Sequence, residues 1–138
     1  MTKKPVILCV DDEWNGLEGR RILFEGRGYN VLVAASGEEA LQLFASHPTD
    51  LVLLDYHMPK ANGDVIAERM KASQPDVPIA MLSADEGLPE SALESVDVFI
   101  SKSESPTSLL EMVEHLLDLR FLFAPLDDVS GGRQRYSA

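Results

Sequence analysis

Four apolar runs in this chain each end in residues that can do chemistry. Asp11, Asp12 and Glu13 follow VILCV; Asp55 follows LVLL; Ser83, Ala84 and Asp85 follow PIAML; and Lys102 lies just beyond VDVFI. Two carboxylates held about 4 Å apart repel by roughly 4 kcal/mol at an effective dielectric of 20, so acids gathered at one place invite a compensating cation. Hard oxygen donors, with no Cys or His spacing of the zinc type, favour Mg²⁺. A carboxylate beside such an ion can attack phosphorus and form an acyl phosphate, while the metal and a lysine neutralise the transferring group. In that chemistry Asp55 is the nucleophile, Asp11 and Asp12 hold the metal, and Lys102 supplies a fixed positive charge. Taken singly, each has an ordinary explanation. Adjacent acids are commonly solvated or sit at a helix N-terminus, a strand-end Asp forms turns, Ser83 caps a helix, and Lys102 is a surface charge. Only their joint placement makes the chemical reading stronger than these.

That placement depends on the elements between them. Val6–Val10, Tyr29–Ala35, Leu51–Leu54, Pro78–Leu82 and Val96–Ile100 are short, apolar and rich in branched residues. Their continuous rather than alternating apolarity predicts strands buried on both faces. Ser36 with Glu39 three residues on forms a capping box, and Ala40, Leu43, Phe44 and His47 continue at helical spacing. Gly63, Ile66, Ala67 and Met70 repeat that spacing. Ser105 and Pro106 begin a last helix whose apolar face is read as Leu109, Met112, Val113 and Leu116. The first helix, Trp14 to Arg27, is weakened by Gly16 and Gly19, each costing about 1 kcal/mol relative to alanine. A fourth helical segment, Pro89 to Ser95, is short and polar and is the element expected to move most readily. Strand and helix in alternation imply right-handed crossovers. The expected fold is α/β, a doubly wound five-stranded parallel sheet with helices on both faces. In such sheets ligands sit at the carboxyl ends of the strands, where the chemical residues stand.

The 138 residues, 45% apolar and 25% charged, fit one compact domain. Twelve basic against 23 acidic residues give a net charge of −11, which disfavours nucleic acid and anionic membrane as partners. Cys9 is alone and sits in a strand-like run, so a buried, inert thiol is expected. With no signal peptide or spanning segment in the sequence, a cytoplasmic location is the expectation.

The motifs VDDE, LLDYHMPKANG, MLSAD and VFISK, in that order, resemble the receiver domain of two-component response regulators over approximately Lys4 to Leu119. The resemblance implies the flavodoxin-like strand order 2-1-3-4-5 and makes Asp55 the phosphorylated aspartate. It implies that Asp12, Asp55 and the His57 backbone carbonyl bind Mg²⁺, with Asp11 acting through water. Ser83 and Lys102 would grip the phosphoryl group, aided by backbone amides of Tyr56, His57 and Ala84. Met58, Pro59 and Gly63 fit the family's loop after the phosphoacceptor. Phe99 takes the place of the switch aromatic, whose movement follows the inward draw of Ser83, although a strand Phe also simply packs. Ser103 replaces the proline usual after the lysine. A cis bond before serine would cost about 3 kcal/mol, so a trans peptide and a slightly displaced lysine are expected. His57 and Asp85 could flank the path of hydrolytic water.

These features imply a phosphorylation switch rather than a turnover enzyme, a domain over 1–122, and a short tail over 123–138 without an effector domain. The implied phosphoryl donor is a histidine kinase or phosphotransfer protein. The output would be recognition by a downstream protein through the fourth helical segment, fifth strand and last helix. Leu116, Leu117, Leu119, Phe121, Leu122 and Phe123 point in more directions than one core stripe can use, which leaves room for a partner or a homodimer. Two other readings compete. A haloacid dehalogenase type phosphohydrolase also uses an aspartyl phosphate, but its nucleophile lies on the first strand with a second aspartate two residues on, a pattern DDEW lacks. A receiver-like binding module that never turns over phosphate would not need the Asp, Ser and Lys set.

Overall fold

A computed structural model describes residues 4–85 and 87–122. The tail read over 123–138, Phe123 with it, lies outside the described residues. Five strands, β1 (Val6–Val10), β2 (Asn30–Ala34), β3 (Leu51–Asp55), β4 (Ile79–Ser83) and β5 (Val98–Ser101), form one parallel sheet in the order β2-β1-β3-β4-β5. Burial follows that order. Every residue of β3 and β4 is buried, while the edge strands β2 and β5 are only partly covered. The sheet therefore has helices on both faces, as continuous apolarity predicts.

Alternation along each strand divides the core in two. Leu8, Val10, Val52, Leu54 and Ile79 face helices α2 (Gly37–Ser46) and α3 (Gly63–Ser73), meeting Ala40, Phe44, Ile66, Ala67 and Met70. Ile7, Cys9, Leu51, Leu53, Ala80, Leu82 and Ile100 face α1 (Trp14–Glu25) and α4 (Pro106–Leu122). Cys9 is fully buried and its thiol pKa is pushed up to about 12 by that burial, so it stays protonated and unreactive.

Local signals set the helix starts. Ser36 Oγ accepts the Glu39 N–H at 3.1 Å, and the Glu39 carboxylate accepts the Ala35 N–H at 2.9 Å, one residue earlier than a standard capping box. Ser105 Oγ accepts the Ser108 N–H at 3.1 Å. Two expectations shift. The buried line of α4 is Leu110, Val113 and Leu117, and Leu109, Met112 and Leu116 flank it as partly buried neighbours. The face is rotated by about one position, and Leu110, Val113 and Leu117 share one core cluster with Ile100 and Leu53. The fourth helical segment is a single 3-10 turn, Glu90–Leu93, anchored by buried Ala92 with Leu93 partly buried beside it; two adjacent apolar residues do not make the face a longer amphipathic helix needs.

The amino ends of the strands are fastened by acids. Asp50 accepts the Val6 N–H at 2.8 Å and faces Arg120 at 3.3 Å. Asp97 accepts the Ile79 N–H at 2.7 Å and pairs with Lys71 at 2.7 Å. These carboxylates satisfy the first amides of two central strands, so their role is structural. Asp97→Ala, which orphans the Ile79 amide, is expected to lower stability by about 1–3 kcal/mol. Urea unfolding checks this, and an unchanged midpoint would contradict it.

Candidate functional site

The carboxyl ends of the strands carry the other acids. Asp11 is the next inward-facing position after Ile7 and Cys9, Asp55 after Leu51 and Leu53, and Lys102 after Ile100, so the period of two points all three to the α1/α4 side of the sheet. Their backbones extend the ladder: the Asp11 N–H donates to Ala34 O at 3.1 Å, and the Lys102 N–H to Ser83 O at 3.0 Å. A rigid sheet thus fixes groups that are 91 residues apart in the chain.

Carboxylate oxygens of Asp11, Asp12 and Asp55 all lie within 4.8 Å of one another. Asp11 and Asp55 are buried and Asp12 is exposed. Lys102 Nζ sits between the buried pair, 3.0 Å from Asp55 Oδ1 and 3.2 Å from Asp11 Oδ2. Asp11 is further held by the Glu13 N–H at 2.9 Å on Oδ1 and by Arg20 Nη2 at 2.6 Å on Oδ2. Burial pushes the Asp11 pKa up, but the Glu13 amide, Arg20 and Lys102 outweigh it and hold the group below the usual carboxylate range. Asp55 goes the other way. Burial raises its pKa, Asp11 repels its charge, and the Lys102 ammonium offsets this only in part. Burial works against the Lys102 ammonium, yet the two aspartates more than compensate and raise its pKa. All-oxygen donors, two of them buried and one open to solvent, suit a hard divalent cation that keeps part of its water.

Ser83 is fully buried, and its Oγ accepts the Asp85 N–H at 2.9 Å, leaving the hydroxyl proton free to be donated elsewhere. The Tyr56 amide donates to Leu82 O at 3.0 Å, so it could serve a phosphoryl group only at the expense of that bond. The exposed His57 ring lies 3.8 Å from the Asp85 carboxylate and meets the Tyr56 ring edge to face at 4.8 Å. Phe99 pairs with Met81 across β4 and β5 and is half-buried. No peptide bond among the described residues is cis, Lys102–Ser103 included. The ammonium still reaches both aspartates, so any displacement does not take it out of contact. After Asp55 the chain turns through Lys60 at φ 74° and returns at Gly63, whose N–H donates to Tyr56 O at 2.8 Å. A β-carbon at Gly63 would lie 2.5 Å from the Asp55 carbonyl oxygen, so only glycine permits α3 to start this close to the end of β3.

The residue that sequence reading missed is Arg20. The one trace of it in the sequence is Gly16, one helical turn earlier, whose meaning shows only once the helix is seen to turn that face toward Asp11.

The family model described as response regulator receiver domain matches residues 7–114. "Probable transcriptional regulator ycf27" of Cyanidium caldarium is 35% identical over 114 residues, 80% of this chain and 45% of that protein. Response regulator SaeR of Staphylococcus aureus is 32% identical over 114 residues, 80% of this chain and 50% of that one. This chain thus spans about half the length of these relatives. Among solved structures, a receiver domain protein of Methanospirillum hungatei described as CheY-like superposes with a TM-score of 0.83 at 27% identity, covering 87% of this chain and 98% of that one. Response regulator TrrA of Thermotoga maritima, solved in complex with Mg(2+)-BeF, gives 0.77 at 34% identity, covering 81% and 98%.

Because burial and Asp11 destabilise the charged form of Asp55, the folded chain holds that proton more tightly than the unfolded chain. Stability from this group therefore falls as pH rises from the ordinary carboxylate value through the raised one. Asp55→Asn is expected to stabilise the metal-free protein by about 1 kcal/mol at neutral pH, the gain vanishing below about pH 4. Urea unfolding across pH in the presence of a chelator measures it; a loss at neutral pH, or a gain growing in acid, would contradict the electrostatic account.

Proposed function

This chain belongs to the response regulator receiver domain family, and on that premise we propose that it is a Mg²⁺-dependent phosphoacceptor switch that takes a phosphoryl group onto Asp55. The observation that carries the reading is the environment of Asp55: a buried carboxylate with raised pKa, 3.0 Å from an ammonium and within 4.8 Å of two further acids. Mg²⁺, when bound, would neutralise the acids and the incoming phosphoryl oxygens. Asp11 and Asp12, with Asp55 and the His57 carbonyl, are the groups that would hold it.

An Asp55 oxygen forms the new O–P bond as the P–N bond of a donor phosphohistidine breaks, and the electron pair leaves with the imidazole nitrogen, which takes up a proton. Lys102, already on Asp55, keeps its charge on the transferring group. The Ser83 hydroxyl and the His57 and Ala84 amides complete the cradle, and Phe99 responds to the movement of Ser83. The donor is a histidine kinase or a phosphotransfer protein. The domain spans 1–122. No helix among the described residues is long and apolar enough to cross a membrane. The output face is β5 with α4 and the 3-10 turn, where Val98, Ser108, Met112, His115 and Leu116 line a groove of about 380 Å³. A downstream protein or a second copy would dock there.

The phosphohydrolase reading is not favoured. It requires a nucleophile on the first strand with a second aspartate two residues on, where this chain has Glu13 after Asp11 and Trp14 after Asp12.

Incubation with Mg²⁺ and a small acyl phosphate is expected to add one phosphoryl mass to the intact chain, and Asp55→Asn or a chelator to abolish it. Catalytic consumption of the acyl phosphate without an adduct would instead support a hydrolase, and neither adduct nor turnover a binding module. A second expectation concerns lifetime. His57 lies two residues beyond Asp55 and Asp85 two beyond Ser83, and their exposed side chains stand 3.8 Å apart, a placement from which they could flank the approach of water to phosphorus. His57→Ala and Asp85→Ala should each change the rate of adduct decay by several-fold, followed by mass against time; equal rates in both would remove them from the mechanism.

A further inference from the structure

Arg20 reaches the acidic site from the middle of α1. Its Nη2 lies 2.6 Å from Asp11 Oδ2, the side chain is 14% exposed, and its Nε is buried without a hydrogen-bond partner. The path is cleared by Gly16. A β-carbon there would lie 3.4 and 3.5 Å from the two terminal guanidinium nitrogens and 3.5 Å from Asp11 Oδ2, so a methyl would just touch and a larger side chain would push the guanidinium away. A glycine inside a helix is unfavourable, and here it leaves open the route by which an arginine folds back one turn onto a site acid.

Asp11 does not need Arg20 for its orientation. Its Oδ1 is fixed by the Glu13 N–H at 2.9 Å, and Lys102 shares Oδ2 at 3.2 Å. What Arg20 adds is charge, on the one carboxylate oxygen that already carries an ammonium. Beside it a cleft of about 230 Å³ is lined by Glu13, Ser101 and Glu104, acceptors to which a released guanidinium can turn.

We propose that Arg20 is a tethered counter-ion that competes with the divalent cation for Asp11 and thereby sets the metal affinity of the site. This rests on the reading of the acid cluster as a Mg²⁺ site. In the metal-free protein Arg20 and Lys102 together offset the buried acids and keep the strand ends from repelling. A divalent ion entering the cluster meets two fixed positive charges, and it binds only as far as Arg20 yields Asp11. Lys102 is committed to Asp55 as well, whereas Arg20 has Asp11 as its one acid partner within the site. It is therefore the group that can leave, and it acts through its charge on Asp11 without touching a reacting atom.

The test uses the full chain and metal alone. Free Mn²⁺ is counted by electron paramagnetic resonance during titration of wild type, Arg20→Gln, Arg20→Lys and Asp12→Asn, and Mg²⁺ is added in competition. Arg20→Gln is expected to bind about tenfold more tightly than wild type, since removing a like charge this close to a bound cation shifts such equilibria by about that factor or more. Arg20→Lys should stay near wild type, and Asp12→Asn should bind more weakly. Wild-type binding with unchanged or weaker affinity in Arg20→Gln overturns the inference alone, as does equal tightening in Arg20→Lys, which would make packing the cause. Absence of competed binding in every variant overturns the Mg²⁺ reading together with the inference. A measurement that needs no variant is the Nε–H resonance of Arg20 in wild-type protein. It should shift and exchange faster with water as Mg²⁺ saturates the site, and a signal that does not move contradicts the release of Arg20.

Discussion

Crowding of like charge at one rim of the sheet is the constraint on which the rest of the structure depends. Asp11 and Asp55 are both buried, and carboxylates are costly to bury without partners. The fold meets this with Lys102 shared between them and Arg20 placed on Asp11. The compensation is unequal. Asp11 receives an amide and two cations and stays ionised, while Asp55 receives one cation, faces a neighbouring charge and has its pKa raised. Two identical side chains thereby differ in how well the fold supports their charge, the anion being favoured at Asp11 and disfavoured at Asp55.

The contrast with the opposite rim is instructive. Asp50 and Asp97 also stand at strand ends and also pair with cations, but each accepts a strand amide with one oxygen. Their charge is used up in closing the sheet. Composition alone does not distinguish the two sets. What separates them is strand direction, because the amino ends present donors that acids can satisfy, whereas the carboxyl ends of β1 and β3 gather acids that need cations.

Most of the fold was legible in the sequence for a definite reason: continuous burial of β3 and β4 leaves an unbroken apolar run, and Ser36, Ser105 and Pro106 mark helix starts by local bonding. The three aspartates and the lysine that meet at this rim were legible because they stand at or just beyond the ends of such runs. The shape of α4 was less so, since Leu109 to Leu117 offer two overlapping apolar stripes, and only the sheet beneath decides that Leu110, Val113 and Leu117 go inward. The 3-10 turn in place of a fourth helix reflects how little apolar surface its segment holds beyond Ala92. Arg20 was missed because a lone arginine in a helix is usually solvated. Its meaning depends on the pairing with Gly16, which sequence alone registers as a cost to the helix.

The central claim is that the cations at this rim divide their charge unequally between two buried aspartates. Carbon-13 NMR of the aspartate side-chain carboxyls, titrated in the absence of divalent ions, tests it most directly. The account predicts that Asp11 titrates below the ordinary carboxylate range and Asp55 above it. Two ordinary values, or the reverse order, would contradict it.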